Sequence, residues 1–237
     1  MEVNITGSKK QTARSFSENL ASLIAKNNIL HIALSGGSTP KEVFKELAVH
    51  FKNEIDWSKV QFYWGDERCV PPDDEESNYK MANEYLFSKL EFPLGNIHRI
   101  KGENEPVEEA KRYADLLEKN LPNVGTQPQF DLVILGLGDD GHTASIFPNQ
   151  INLWNSKAYC EVAEHPESGQ RRVTLTGNII NNAKEVVFLV TGENKAQKVF
   201  EIIERKGNYS AYPASLVEPI SGRLNWFLDT EAAKLLE

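Results

Sequence analysis

Phe130-Asp131-Leu132-Val133-Ile134-Leu135-Gly136-Leu137-Gly138-Asp139-Asp140-Gly141-His142-Thr143 is the stretch on which the fold turns. Its first six residues form a short apolar run with no polar alternation beyond Asp131. Such a run marks a strand covered on both faces, as in parallel sheets. Residues 29–34, 60–64 and 186–190 repeat the pattern. Residues 97–100, 159–163 and 172–176 are weaker strand candidates. Between the runs lie stripes of helical period. They are Phe16, Leu20, Leu23 and Ile24; Val43, Phe44, Leu47 and Phe51; and Ala110, Tyr113, Ala114, Leu117 and Leu121 behind Pro106. A fourth stripe, Ala196, Val199, Phe200 and Ile203, has Gly207 placed to end it. Strands alternating with helices predict an α/β fold: a doubly wound, Rossmann-like, mostly parallel sheet with helices on both faces. Residues 71–77 and 120–129 read as loops rather than boundaries, so residues 1–237 are expected to form a single domain.

Ligands of such sheets bind beyond the carboxyl ends of the strands, so the residues after each run carry the information. Gly136, Gly138 and Gly141 match the G-x-G-x-x-G pattern of dinucleotide loops. That loop needs a long helix behind it to face a pyrophosphate. Here Pro148 comes soon after, and Asp139 and Asp140 place negative charge where phosphates would lie. The spacing predicts a glycine turn that displays His142 instead, with Asp140 or Asp139 close enough to orient it. A histidine beside two acids at a strand end is a candidate general base.

After the run ending at Leu34 comes Ser35-Gly36-Gly37-Ser38-Thr39-Pro40. Thr39 to Glu42 reads as a capping box, with Pro40 at the first helical position. Gly36, Gly37, Ser38 and Thr39 would then form an anion site at a helix start, although the same pattern also fits a plain tight turn. After Trp64 comes Gly65-Asp66-Glu67-Arg68. Arg68 can clamp a phosphate and Asp66 can accept from sugar hydroxyls, while a local surface ion pair is the simpler alternative. Arg172 and Lys195 are further cations at element ends, and for each alone an ordinary surface charge is the simpler reading.

Lys plus Arg number 26 and Asp plus Glu 34, a net charge of −8, which suits no nucleic-acid partner. No apolar run approaches the roughly 20 residues that cross a bilayer. Cys69 and Cys160 stand in no metal or redox spacing, and no H-E-x-x-H or G-x-S-x-G occurs. Neither metal nor cofactor is expected, and the setting expected is the cytoplasm.

Taken together, these segments resemble the 6-phosphogluconolactonase family. The match runs in order through Leu34-Ser-Gly-Gly-Ser-Thr-Pro40, Trp64-Gly-Asp-Glu-Arg68, Ser77-Asn78, Gly136 to Pro148 with its Asp-Gly-His-Thr-Ala-Ser core, Arg172-Val-Thr-Leu-Thr176, Gly192 with Lys195, and Tyr212-Pro-Ala214. The resemblance implies a phosphorylated sugar lactone as the small-molecule partner, with neither nucleic acid nor membrane, and a monomer or small homo-oligomer. It implies His142 as base and Asp140 as its partner, with phosphate held by Gly36, Gly37, Ser38, Thr39, Arg68, Arg172 and Lys195, and Asp66 on a sugar hydroxyl. The rival is the sibling glucosamine-6-phosphate deaminase, whose histidine segment continues to Asn-Glu-Pro. Here Ile146-Phe147-Pro148 puts an apolar ring where that carboxylate stands. A non-catalytic sugar-phosphate sensor is a second rival, disfavoured because no segment is spare for an output domain.

Overall fold

A computed structural model describes residues 1–125 and 127–236 of the chain. In order come β1 (Glu2–Thr6), α1 (Lys9–Lys26), β2 (Leu30–Leu34), α2 (Ser38–His50), β3 (Val60–Trp64), β4 (Asp66–Arg68), α3 (Asn78–Tyr85) and α4 (Pro106–Asn120). Beyond them lie β5 (Asn123–Val124), β6 (Gln127–Pro128), β7 (Leu132–Leu135), β8 (Cys160–Glu164), β9 (Arg171–Leu175), α5 (Gly177–Asn181), β10 (Glu185–Val190), α6 (Ala196–Ile203) and β11 (Leu224–Asp229).

Six strands make the central sheet in the order β1-β11-β10-β7-β2-β3, every pair parallel. β7 is buried at every residue and β2 at every residue but His31, which is why these runs lack alternation. β1 and β11 have no counterpart among the apolar runs. β1 lies at the edge with Glu2 and Ile5 exposed, and its Asn4 and Thr6 give no apolar run. β11 opens with half-exposed Leu224 and Asn225, and Trp226 stacks on Phe188 with ring centroids 4.1 Å apart. On α1, Phe16 meets Phe227 edge-on at 5.3 Å, tying the helix to β11.

From β2 the chain moves to β3 on one side, then crosses back to β7 on the other. The connections therefore diverge between β2 and β7, and the mouth of a site is expected above these two strands. Tyr113 of α4 fixes the neighbouring strand end. Its buried hydroxyl accepts from the Trp64 amide at 2.8 Å and donates to the Trp64 carbonyl at 3.2 Å.

The remaining strands depart from the sequence reading. β8 and β9 fall within a residue of the weaker candidates, but they join β4 in a separate antiparallel sheet of order β4-β9-β8. Residues 97–100 form no strand; a single bridge from Ile97 to Phe62 and the His98 amide on the Phe62 carbonyl cover the β3 edge. The loop expected over 120–129 contains the small β5–β6 hairpin, and Thr126 within it lies outside the described residues, as does Glu237. Gly207 does not end α6: the helix has stopped at Ile203, and the chain turns back through Arg205 at φ +52.

Candidate active site

A cavity of about 300 Å³ opens at the carboxyl ends of β2, β3, β7 and β10. Gly36, Gly37, Ser38, Thr39, Asp66, Arg68, His142, Arg172 and Lys195 all line it. Asp140 lies behind His142 rather than on the wall.

The turn after β7 is built around the histidine. The Gly138 amide donates to the His142 carbonyl at 2.8 Å, and the Gly141 amide to the Gly138 carbonyl at 3.1 Å. A Cβ on Gly138 would stand 2.1 Å from His142 Nδ1, so any side chain there expels the imidazole. Gly141 has φ +88, and a Cβ would meet the Tyr212 ring at 2.5 Å. These glycines therefore seat a histidine, and the chain beyond them enters a 3₁₀ stretch, Pro148–Asn155, rather than a long helix.

His142 Nδ1 lies 2.6 Å from Asp140 Oδ1, which also accepts the His142 amide at 3.0 Å. Burial pushes the Asp140 carboxyl up, but the hydrogen bonds and charge of His142 outweigh it and bring it down to about 2. With Nδ1 engaged, Nε2 is the nitrogen left for a water at the cavity wall. Buried Phe147 packs against the imidazole at 4.7 Å between ring centroids, where the deaminase pattern would place a carboxylate.

Another part of the wall is cationic. Arg68 on β4 and Arg172 on β9 are directly paired across the antiparallel ladder. Like charges so placed repel, and here the Nε of each is buried with no acceptor. Burial and then the charge of Arg68 press the Arg172 guanidinium below its ordinary value. Arg68 Nη1 donates to the Glu76 carbonyl at 2.7 Å, which fixes its arm. Beside this pair α2 begins at Ser38, with Gly37 at φ +102 as its cap. The first amides of a helix have no acceptor within it, so this terminus offers donors and the positive end of a dipole.

The capping box at Thr39 is not formed. The helix starts two residues earlier, Thr39 Oγ1 meets Thr191 Oγ1 at 2.8 Å, and Glu42 pairs with Lys45 at 3.3 Å. Nor do Glu67 and Arg68 make a surface ion pair. Glu67 is buried and accepts the amides of Arg68, Asn78 and Tyr79, each at 2.8 Å, so it pins the start of α3. Lys195, at the end of the turn Glu193–Lys195, pairs with Asp139, and Asn194 donates to the same oxygen at 2.8 Å. Of the two acids, Asp140 is thus the one that meets His142.

Asn78 and Ser145 belong to the matching segments, but their roles emerge only in the fold. Asn78 donates to the Asp66 carbonyl at 2.9 Å, and its side chain occupies the space a Cβ on Gly36 would need. Ser145 donates to Asp66 Oδ2 at 2.6 Å. Both contacts join segments far apart in sequence, so no local pattern announces them. Among the described residues, no group of three or more His, Cys, Asp or Glu side chains is arranged to hold a metal.

The family model for glucosamine-6-phosphate isomerases/6-phosphogluconolactonase matches residues 6–226. The 6-phosphogluconolactonase of Haemophilus influenzae is 46% identical over 211 residues, 89% of each chain. Among solved structures, one described as devB protein is 43% identical at a TM-score of 0.95, covering 100% of this chain and 99% of that one. The 6-phosphogluconolactonase of Trypanosoma brucei is 30% identical at a TM-score of 0.87, covering 100% and 98%.

Proposed function

The chain belongs to the glucosamine-6-phosphate isomerase and 6-phosphogluconolactonase family, and from that premise we propose that it is a hydrolase converting 6-phospho-D-glucono-1,5-lactone to 6-phosphogluconate. One observation carries the reading: a histidine oriented by a carboxylate through Nδ1, lining one cavity with two guanidiniums that have orphaned N–H groups. The first is apparatus for activating water, the second for holding an anion.

In this mechanism neutral His142 takes a proton from water at Nε2 while the water oxygen attacks the lactone carbonyl carbon. A tetrahedral oxyanion forms. The bond from that carbon to the ring oxygen then breaks, and the ring oxygen leaves with the proton from the imidazolium. Asp140 fixes the tautomer and stabilises the cation between the two steps. Arg68, Arg172, Lys195 and the Gly36 to Thr39 loop hold the phosphate, and Asp66 accepts from a sugar hydroxyl. Acyl transfer to water involves no redox change and no group carrier, so these residues suffice for it. The reaction belongs to a cytoplasmic, single-domain enzyme of carbohydrate metabolism.

Phe147 separates this reading from deamination. The deaminase pattern has a second carboxylate at that position, besides any partner such as Asp140, and here the group packed on His142 is a phenyl ring. The test is a lactonase assay on freshly generated substrate, corrected for spontaneous hydrolysis, beside an assay of ammonia release from glucosamine 6-phosphate. Lactonase activity without ammonia is expected; ammonia without lactonase activity overturns the assignment.

A further inference from the structure

Ser145 lies three residues beyond His142 and is fully buried, 0% exposed. Its hydroxyl has one proton, which goes to Asp66 Oδ2 at 2.6 Å. Ser145 Oγ in turn accepts from Arg172 Nη1 at 3.4 Å. The Ser145 amide donates to Thr174 Oγ1 at 3.1 Å, and Thr174 is the ladder partner of Asp66. One serine therefore stands between the acid of β4 and the cation of β9.

A buried carboxylate and a buried guanidinium this close would ordinarily close into an ion pair, since charge-assisted bonds are strong away from water. Asp66 and Arg172 do attract each other, yet no ion pair joins them among the described residues, and Arg172 Nε has no acceptor. Beneath the guanidinium lies the Phe147 ring, 5.6 Å away, which supports the cation without neutralising it.

We propose that Ser145 is a positioning residue that keeps Asp66 off Arg172, so that the guanidinium stays available to a phosphate and the carboxylate to a sugar hydroxyl. This rests on the reading of Arg172 as a phosphate contact. Without the hydroxyl, Asp66 would be a buried acceptor lacking its donor, and the donor on the other side of that hydroxyl is Arg172. The site would then neutralise itself before substrate arrives.

The experiment is calorimetric titration of inorganic phosphate into the wild-type protein, Ser145→Ala, Asp66→Asn and the double variant. Ser145→Ala should weaken phosphate binding about tenfold, the scale of one charge-assisted contact. The double variant should bind within about twofold of Asp66→Asn, because no carboxylate remains to trap Arg172. A serine of merely structural importance would show the same loss in both backgrounds, and that result overturns the proposal. With lactone as substrate, Ser145→Ala should raise KM and leave kcat within about threefold; the reverse split also overturns it. Ser145→Cys, which keeps a weaker donor in nearly the same space, should fall between wild type and alanine. Should it bind phosphate no better than alanine, the hydroxyl is not what matters. If the wild-type protein takes up no phosphate, the assignment of Arg172 fails and this proposal with it; if wild type and Ser145→Ala bind it equally, only this proposal fails.

Discussion

The two ends of the cavity handle charge in opposite ways. At the β7 end the site's side chains are paired: His142 has Asp140, and Lys195 has Asp139. At the β4–β9 end two guanidiniums face each other across a ladder, and a nearby carboxylate is tied to a serine instead of to either of them. A proton-transfer group must be oriented before substrate binds, which pairing achieves. An anion site must stay short of negative charge until the anion arrives, which pairing would defeat. The β4–β9 end therefore gives up local stability for readiness to bind, and the β7 end does not.

The sharpest break of the comparison is His142→Ala. With its base gone, kcat should fall by about 10² to 10⁴-fold, while calorimetry should show 6-phosphogluconate binding nearly unchanged. A variant that keeps near wild-type turnover would show that the paired end is not the reacting end.

Next in size is Arg172→Met. Loss of one charge-assisted contact should reduce kcat/KM about ten- to a hundredfold, chiefly through KM. Stability should move the other way. Removing one of two like charges opposed in a ladder relieves up to about 1 kcal/mol, so Tm without ligand should rise by about 1–3 °C. Adding phosphate should raise Tm further in the wild type than in the variant, since a ligand stabilises only the state that binds it. A variant that is both less active and less stable would mean that the two arginines are structural.

A smaller effect separates Asp140 from the cationic end by pH. Its folded-state value, about 2, lies below the ordinary 3.8. The pair's contribution to stability is therefore present above about pH 4 and is lost as pH falls from there through 2. Asp140→Asn should flatten that limb of a Tm against pH curve. Exposure of the Asp140 side chain keeps the effect modest. An unchanged acid limb would show that Asp140 is not held by His142.

The β7 end was the more legible in sequence because its parts are local. Gly138, Asp140, Gly141 and His142 lie within one turn, and a strand pattern announced them. The cationic end is assembled from three distant segments. Arg68 and Arg172 are 104 positions apart, and their opposition depends on an antiparallel register that no periodicity reveals. The central strands were legible because burial on both faces removes polar residues, whereas β1 and β11 keep Asn4, Thr6 and Asn225 and so give no apolar run. Glu67 misled for the same reason as Thr39. Adjacent residues suggested local partners, but a buried acid took three amides and a threonine hydroxyl crossed to Thr191.

The least expected effect tests whether pairing at Lys195 matters at all. Asp139 is exposed, with 71% of its side chain open to water, while Lys195 is largely covered at 19%. An exposed partner contributes about 1 kcal/mol at most, and salt screens it. Yet the sign is informative. If Lys195 contacts substrate phosphate, Asp139 competes with that phosphate for the ammonium in the free enzyme. Asp139→Asn should then lower KM by less than about fivefold, keep kcat, and lose the difference at 0.5 M salt. Lys195→Ala should raise KM and should abolish the effect of Asp139→Asn in the double variant. A rise in KM for Asp139→Asn alone would mean that Asp139 holds Lys195 in place for the phosphate rather than away from it, and the β7 end would then be wholly a scaffold of fixed pairs.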